Sequence, residues 1–131
     1  MKMKITIPFK TPTINHLYWH RGNIKIMKKE AKELREEIER LVDKEIYNCE
    51  ADYLRDKELQ VTVEIYEVWH NLDGSIKKKD ISNREKFLID SVFDALGLND
   101  KCIFDNRFIK KGDEEEEKAI ITIREAINER V

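Results

Sequence analysis

The sequence predicts an α+β fold, in which a mixed β-sheet carries two main helices packed on one face. The length of 131 residues fits one domain with a modest core, and no internal repeat or long linker divides residues 1–131. Some segments alternate apolar and polar residues, as half-buried strands do, and others repeat apolar residues at three- and four-residue spacing, as amphipathic helices do. The predicted element order is β, β, α, β, α, β, β.

Strands are predicted where the alternation is clear and stops at a turn or a proline. Pro8 ends the first strand, and Trp69 ends the longest one. From Phe9 to Arg21 aromatic and hydrogen-bonding side chains predominate, so we expect an irregular loop there. The predicted strands are Lys2–Ile7, Ile24–Met27, Leu59–Val68, Cys102–Lys110 and Ala119–Ile123.

The most regular helical pattern runs from Lys28 to about Tyr47, with its apolar residues in one stripe. Its charged residues indicate a solvated face, and contact with a partner protein is the alternative. A second helix is predicted to begin near Ser82. Ser82 and Glu85 have the spacing of a capping box, in which both side chains bond amides of the first turn.

The second helix carries a narrow polar stripe on a mostly apolar surface. At about 100° per residue, the polar members fall within an arc of roughly 80°. They are Asn83, Lys86, Asp90 and Asp94. The opposite side consists of Leu88, Ile89, Val92, Ala95 and Leu96, with Phe93 between the two. A thin polar line on a buried helix indicates the border of a cleft, and a solvated edge is the alternative.

Carboxylates and a lysine are grouped around this second helix. Asp80 precedes the helix, and Asp100 follows it. Lys86 and Asp90 lie on it. Carboxylate oxygens bind a hard divalent cation, and a lysine offsets the charge of a phosphate. The cluster therefore predicts a nuclease active site that cleaves phosphodiesters with the help of a metal ion.

The composition limits the other function classes. Hydrophobic and charged residues each make up 40% of the chain, and the net charge is −2. Any contact with nucleic acid must therefore come from local basic patches. Cys49 and Cys102 lack the spacing of a zinc site, and no apolar run is long enough to span a bilayer. No secretory leader is recognised, so we expect a soluble, cytoplasmic protein without membrane contact.

A longer pattern runs through the same residues. The segment Lys79-Asp80-Ile81-Ser82-Asn83 is followed by Lys86 and later by Asn99-Asp100, and the first strand is followed by Pro12, Asn15 and Tyr18. In these spacings the chain resembles the RusA family of Holliday-junction resolvases, small endonucleases common on prophages. The family pattern is a basic residue, Asp, any residue, Asp and Asn, then Lys four positions after the second Asp, and a later acidic pair. The resemblance extends over nearly the whole chain.

Two positions depart from the family pattern. Ser82 stands where the second Asp is most often found, and Asn99 is the first member of the acidic pair. The residues that the resemblance carries over are Asp80, Lys86 and Asp100, with Asp90 at a matching acidic helix position. A serine hydroxyl brings no negative charge and is a poorer metal ligand than a carboxylate. Three consequences remain open: weaker metal binding, compensation by Asp90, or an impaired site.

The resemblance implies a Mg²⁺-dependent enzyme that resolves four-way DNA junctions by paired symmetric nicks, acting as a homodimer whose two-fold axis matches the junction. Asp80 and Asp100 would bind Mg²⁺, with Mn²⁺ as a substitute, and Lys86 would neutralise charge on the phosphate. Predicted DNA contacts lie in the loop after the first strand and in the basic segments near the site. They are Asn15, Tyr18, Arg21, Lys77, Lys78, Lys79, Asn83, Arg107, Lys110 and Lys111.

Two other function classes stay open at this point. One is a catalytically weak or inactive protein that binds branched DNA, with Ser82 as a helix cap; it leaves no nicks in any divalent metal. The other is a protein-interaction module that uses the helix from Lys28 to about Tyr47. It predicts no salt-sensitive binding of DNA, whereas phosphate contacts make affinity fall steeply with salt.

Overall fold

The computed structural model describes residues 2–11, 18–21, 24–78, 82–112 and 116–127. The strands in these ranges are β1 (Lys2–Ile7), β2 (Tyr18–Arg21), β3 (Ile24–Met27), β4 (Leu59–Tyr66), β5 (Ile103–Lys111) and β6 (Lys118–Glu125). The helices are α1 (Lys29–Leu41), α2 (Lys44–Leu54) and α3 (Ser82–Leu96), with a 3₁₀ turn at Asp100–Cys102. The α+β class is confirmed.

Four of the strands form one mixed sheet in the order β1-β6-β4-β5, and β2 pairs with β3 in a separate hairpin. The pairs β1–β6 and β4–β6 are antiparallel, and β4–β5 is parallel. β5 is therefore an edge strand whose inner neighbour is β4. The segment that joins α3 to β5 is short and contains the 3₁₀ turn. The start of β5 therefore lies close to the end of α3.

One face of the sheet forms the core. Successive side chains of a strand point to opposite faces, so an alternating sequence buries every second residue. The buried members are Met3, Ile5, Ile7, Leu59, Val61, Val63, Ile65, Ala119, Ile121 and Ile123. They join the buried residues of all three helices in a single cluster. Burying apolar surface stabilises a fold by roughly 25 cal/mol per Å².

The helix predicted from Lys28 to about Tyr47 is in fact two helices, so the described residues contain three main helices instead of two. α1 ends at Leu41, and Asp43 begins α2 by accepting a hydrogen bond from the backbone N–H of Glu45 at 3.0 Å. The apolar spacing continues across the break and hides it, while the aspartate cap is the local signal that marks it. No helix in the described ranges is long and apolar enough to cross a membrane.

Four strands differ from the expectation, two of them only slightly: β5 is Ile103–Lys111 instead of Cys102–Lys110, and β6 is Lys118–Glu125 instead of Ala119–Ile123. Tyr18–Arg21, predicted as part of an irregular loop, is β2, because it pairs antiparallel with the predicted strand Ile24–Met27. β4 ends at Tyr66 instead of Val68. Its partners run out at that point, since Tyr66 faces the last residue of β5 and the first residue of β6.

α3 buries the face that the residue spacing predicts. Its buried residues include Leu88, Ile89, Val92, Phe93, Ala95 and Leu96. Lys86 and Asp94 are exposed and Asp90 is half-buried, which places the predicted polar stripe at the protein surface. The prediction that this helix is mostly buried, with one thin polar line, is confirmed for these residues.

Gly97 ends α3 in a left-handed turn. Its φ is +71°, a conformation that glycine adopts without a steric penalty. The N–H of Leu98 bonds the carbonyl of Phe93 at 3.0 Å, and the N–H of Gly97 bonds that of Asp94 at 3.3 Å, the two bonds of a Schellman motif. The turn leads the chain directly to Asp100.

Candidate active site

Two adjoining cavities lie where α3 meets the 3₁₀ turn. The smaller one, about 300 Å³, is here named the Lys86 cavity and is lined by Glu85, Lys86, Ile89, Asp90, Asp100, Ile103 and Asn106. The larger one, about 440 Å³, is lined by Asp90, Phe93, Asp94, Gly97, Leu98, Asn99 and Asp100. Asp90 and Asp100 line both cavities. These two residues therefore lie at the boundary between the two cavities.

Three of the predicted site residues meet in the Lys86 cavity. Lys86 and Asp90 are four residues apart on α3, so both lie on the same helix face. Asp100 opens the 3₁₀ turn, where Asn99 accepts a hydrogen bond from the backbone N–H of Lys101 at 3.0 Å. Asn99 thus caps the turn that carries Asp100 through its side-chain oxygen, a role that an aspartate would also fill.

Several other predicted residues cannot be placed in the same way. Asn15, Lys79 and Asp80 lie outside the described residues. For Tyr18, Arg21 and Asn83 the described part is the backbone, in β2 and in the first turn of α3. The roles predicted for these six residues stay predictions.

Glu85 and Asn106 also line the Lys86 cavity, and neither is among the site residues that the sequence predicts. The Nδ2 of Asn106 on β5 donates a hydrogen bond to Oε1 of Glu85 on α3 at 3.0 Å. Burial raises the pKa of the Glu85 carboxyl and the charge of Asp90 adds to this, whereas the bond from Asn106 and the charge of Lys86 act in the opposite direction. Glu85 therefore has a bonding partner on the sheet.

The register of the sheet places Asn106 on the face that forms the core. Asn106 is the register partner of the buried Val61, and the next inward position on β5 is the partly buried Phe108. Asn106 is exposed although it lies on the core face, and its amide has a hydrogen-bond partner. Here that partner is Glu85.

The predicted DNA contacts on β5 divide between the two faces of the sheet. Lys110 shares the face of Asn106, since its register partner is the buried Ile65. Arg107 and Lys111 lie on the opposite face, where Arg107 pairs with Asp105 at 3.0 Å. On that face Lys111 approaches Glu64, with 3.7 Å between the charged atoms. Lys110 is thus the β5 cation that shares a sheet face with the cavity.

Trp69 contacts three lysines at the end of the sheet. The Nζ of Lys110 lies 5.0 Å from the centre of the Trp69 ring, and the ring nitrogen donates to the carbonyl of Lys111 at 3.0 Å. The backbone N–H of Lys77 bonds the carbonyl of Trp69 at 2.8 Å. Lys78 follows and is exposed. Of the cations predicted to contact DNA, Lys110 therefore has its charge beside this buried aromatic side chain, and Lys77 and Lys111 contact Trp69 through their backbones.

The oxygen donors of the cavity suit a hard cation. Within the described ranges, no three His, Cys, Asp or Glu side chains lie close enough together to hold a metal ion. Mg²⁺ does not require such a cage, because it commonly binds through one or two carboxylates, several waters and the phosphates of its substrate. Asp90 and Asp100 provide two carboxylates, and Lys86 lies beside them. The residues present fit Mg²⁺ or Mn²⁺.

The chain matches the family model described as Endodeoxyribonuclease RusA over residues 8–124. It belongs to the RusA family. The match includes the whole segment from Lys79 to Asp100 and confirms the resemblance found in the sequence. No curated protein matches the chain. RusA membership implies Holliday-junction resolvase activity and binding of branched DNA.

Proposed function

We propose that this protein is a Mg²⁺-dependent endonuclease that resolves four-way DNA junctions by paired symmetric nicks. Mn²⁺ would substitute for Mg²⁺. The observation that carries the proposal is the meeting of Lys86, Asp90 and Asp100 in one surface cavity of a RusA-family chain. These residues come from a helix and from the turn after it, so their proximity is a property of the fold.

Each residue has a role that follows from its chemistry. Asp90 and Asp100 would hold the cation, together with Asp80 by its match to the family pattern. When bound, the cation supplies Lewis acidity for a scissile phosphate and its attacking water. Lys86 is exposed at the cavity wall and donates to phosphate oxygens, where its positive charge offsets the charge that develops during cleavage.

The DNA backbone is expected to approach from the side of Trp69. Lys110 and Lys77 lie around that residue, and Lys110 shares the sheet face of Asn106 at the cavity. Phosphate contacts of this kind position a duplex without reading its sequence. Two symmetric nicks require two such sites in one particle, which a homodimer with a two-fold axis supplies.

The test is cleavage of a synthetic four-way junction, with a linear duplex of the same sequence as control, in Mg²⁺ and in EDTA. We expect nicks at symmetric positions of the junction in Mg²⁺ and none in EDTA. Asp100→Asn should abolish nicking and retain binding. Asp52→Asn is the matched control, because Asp52 is an exposed partner of Arg55 on α2 and lines neither cavity. Equal cleavage by Asp100→Asn and wild type would sink the proposal.

A binding protein without nuclease activity is the second candidate, and the amide at Asn99 favours it. That side chain caps the 3₁₀ turn and adds no charge to the cavity. On this reading the junction is bound equally well in Mg²⁺ and in EDTA, and no nicks appear with Mg²⁺ or Mn²⁺. The cleavage experiment separates the two candidates directly.

A further inference from the structure

We propose that the outer edge of β5 pairs antiparallel with β5 of a second copy of this chain, and that the two-fold axis of the pair passes through Asn106. The inference rests on the proposed function, which needs two sites in one particle, and it names the surface that brings them together. β5 is an edge strand of the four-stranded sheet. In the part of the chain that the structure describes, no strand pairs with its outer edge.

The sequence of β5 is self-complementary around Asn106. In a two-fold interface, each residue faces the residue at the same distance on the other side of the axis. An axis at Asn106 therefore sets Asp105 opposite Arg107 of the second copy, and it does so twice. Further out, phenylalanine faces phenylalanine and isoleucine faces isoleucine. The seven residues are Ile103, Phe104, Asp105, Asn106, Arg107, Phe108 and Ile109.

The two neighbouring registers oppose like charges. Residues that face each other across two strands lie on the same side of the sheet, so the axis must pass through a residue. An axis at Arg107 sets two guanidinium groups opposite each other, and an axis at Asp105 does the same to two carboxylates. Like charges directly opposite one another destabilise a strand pair, whereas opposite charges stabilise it. The charges of β5 therefore select the register centred on Asn106.

The complementary residues are available to a partner. The register of β5 with β4 is regular from Asp105 to Lys111, and the register shift lies before Asp105. Phe104 is 68% exposed and Ile109 is 38% exposed. Asp105 and Arg107 pair with each other at the surface, and their side chains keep exposures of 41% and 57%. Exposed apolar side chains on an open strand edge mark a surface that pairs with another chain.

The opposite edge of the sheet has a different charge pattern. β1 carries Lys2 and Lys4, which are both exposed, and lysines on an edge strand oppose pairing with another chain. On β5, Lys110 and Lys111 come last, beyond the seven complementary residues. The charge patterns therefore favour β5 over β1 as the edge where two copies meet.

This pairing sets the two candidate sites beside each other. Asn106 lines the Lys86 cavity and donates to Glu85. A two-fold axis perpendicular to the sheet keeps the core faces of both copies on one side, so both cavities lie on the same side of the joined sheet. Facing Cα atoms of an antiparallel pair are about 4.5–5.5 Å apart, which brings the two Asn106 residues together at the axis. A DNA junction thus meets both cavities on one side of the particle.

Charge reversal tests the interface through the oligomeric state. Sedimentation equilibrium of the full wild-type chain should show a dimer. Arg107→Asp and Asp105→Arg each set like charges opposite one another at two symmetric places, and each should raise the Kd of the dimer about tenfold or more. Mixing the two variants should restore a dimer of nearly wild-type Kd, because every arginine then faces an aspartate of the other chain.

The mixing experiment separates an interface from a structural effect within one chain. Each variant keeps its like-charged pair at positions 105 and 107 after mixing, so only pairing between chains can produce the recovery. Arg40→Glu is the matched control, because Arg40 forms an exposed ion pair with Glu37 on α1. Its dimer should have the Kd of wild type. Circular dichroism of each variant verifies that the fold is retained.

A cysteine at the axis gives a second test, which holds if a charge variant fails to fold. In a Cys49→Ser, Cys102→Ser background, Asn106→Cys sets two cysteines opposite each other at a Cα distance that suits a disulfide. Oxidation should yield a covalent dimer. Lys29→Cys in the same background is the control and should stay monomeric under the same oxidant, because Lys29 is an exposed residue of α1.

The outcomes also separate this inference from the function on which it rests. A monomeric wild type, or a dimer that neither charge variant weakens, overturns the inference; nicking by wild type but not by Asp100→Asn then still supports the nuclease. A dimer that both variants lose and their mixture recovers supports the inference. If that dimer nicks no junction in Mg²⁺ or Mn²⁺, the proposed function is wrong and the interface stands.

Discussion

Arg84 and Glu67 form an ion pair that is almost completely buried, with side-chain exposures of 4% and 1%. Arg84 lies in the first turns of α3, and Glu67 directly follows β4. The guanidinium group also lies 5.9 Å from the centre of the Trp69 ring. The ion pair therefore joins the start of α3, the helix that carries Lys86 and Asp90, to the end of the central strand β4.

Removing one partner of this pair should destabilise the protein strongly. Glu67→Gln leaves the Arg84 guanidinium buried without its counter-charge, and we expect a loss of about 3–5 kcal/mol in the free energy of unfolding. The double variant Glu67→Leu with Arg84→Met should lose much less, because no buried charge remains. Urea denaturation of the three proteins measures both values. If the free energy of unfolding of Glu67→Gln lay within about 1 kcal/mol of the wild-type value, a stabilising role of the buried ion pair would be contradicted.

The cations of β5 should differ in their effect on DNA binding. Lys110 lies over Trp69 on the sheet face of Asn106, whereas Arg107 is paired with Asp105 on the other face. We expect Lys110→Ala to reduce the slope of log affinity against log salt by about 0.9, the value for one lost phosphate contact. Arg107→Ala should change the slope less. Junction binding at several salt concentrations in EDTA measures both slopes. A larger change of slope in Arg107→Ala than in Lys110→Ala would show that DNA contacts the opposite face of the sheet.

Strands such as β1 and β4, and the buried face of α3, could be predicted because a single periodicity decides each of them. Met3, Ile5 and Ile7 alternate with polar residues, so β1 follows from local pattern alone. The break between α1 and α2 could not be read from that pattern, since the apolar spacing continues through it. The hairpin of β2 and β3 depends on pairing between two short segments, which residue-by-residue propensity does not report.

The residues of the candidate site also fall into two groups, those that local spacing in the sequence predicts and those that it does not. Lys86, Asp90 and Asp100 were predicted because their spacing in the chain already brings them together around a helix and its following turn. Glu85 and Asn106 were missed because their contact is made between α3 and an edge strand 21 residues away in sequence. Within the helix alone, Glu85 has the position of a capping-box residue, and only the tertiary structure gives it a partner on the sheet.

Gly97 should be sensitive to substitution for a backbone reason. A Cβ at this position would meet Nη2 of Arg55 at 3.7 Å, an ordinary contact, so space does not forbid alanine. The cost arises from the φ of +71°, and for a residue with a Cβ this conformation costs about 1–2 kcal/mol. We expect Gly97→Ala to lower the stability by that amount in urea denaturation. It should also weaken Mn²⁺ binding, because the turn sets the path to Asp100. No loss of stability would show that the turn relaxes freely.

The contribution of Glu85 to the free energy of unfolding should be less favourable at neutral pH than at acidic pH. Burial raises its folded-state pKa above the ordinary value, with a contribution from Asp90, while Asn106 and Lys86 act in the opposite direction. A carboxyl with a raised folded pKa contributes stability below its unfolded pKa, about 4.3, and loses that contribution as the pH rises through the folded value. Glu85→Gln should therefore gain stability over the wild type near pH 7.5 and show little or no gain near pH 3.5. Urea denaturation at the two pH values, without divalent metal, gives the difference, with Glu37→Gln as the reference variant. A gain that is larger at the acidic pH would contradict the raised pKa.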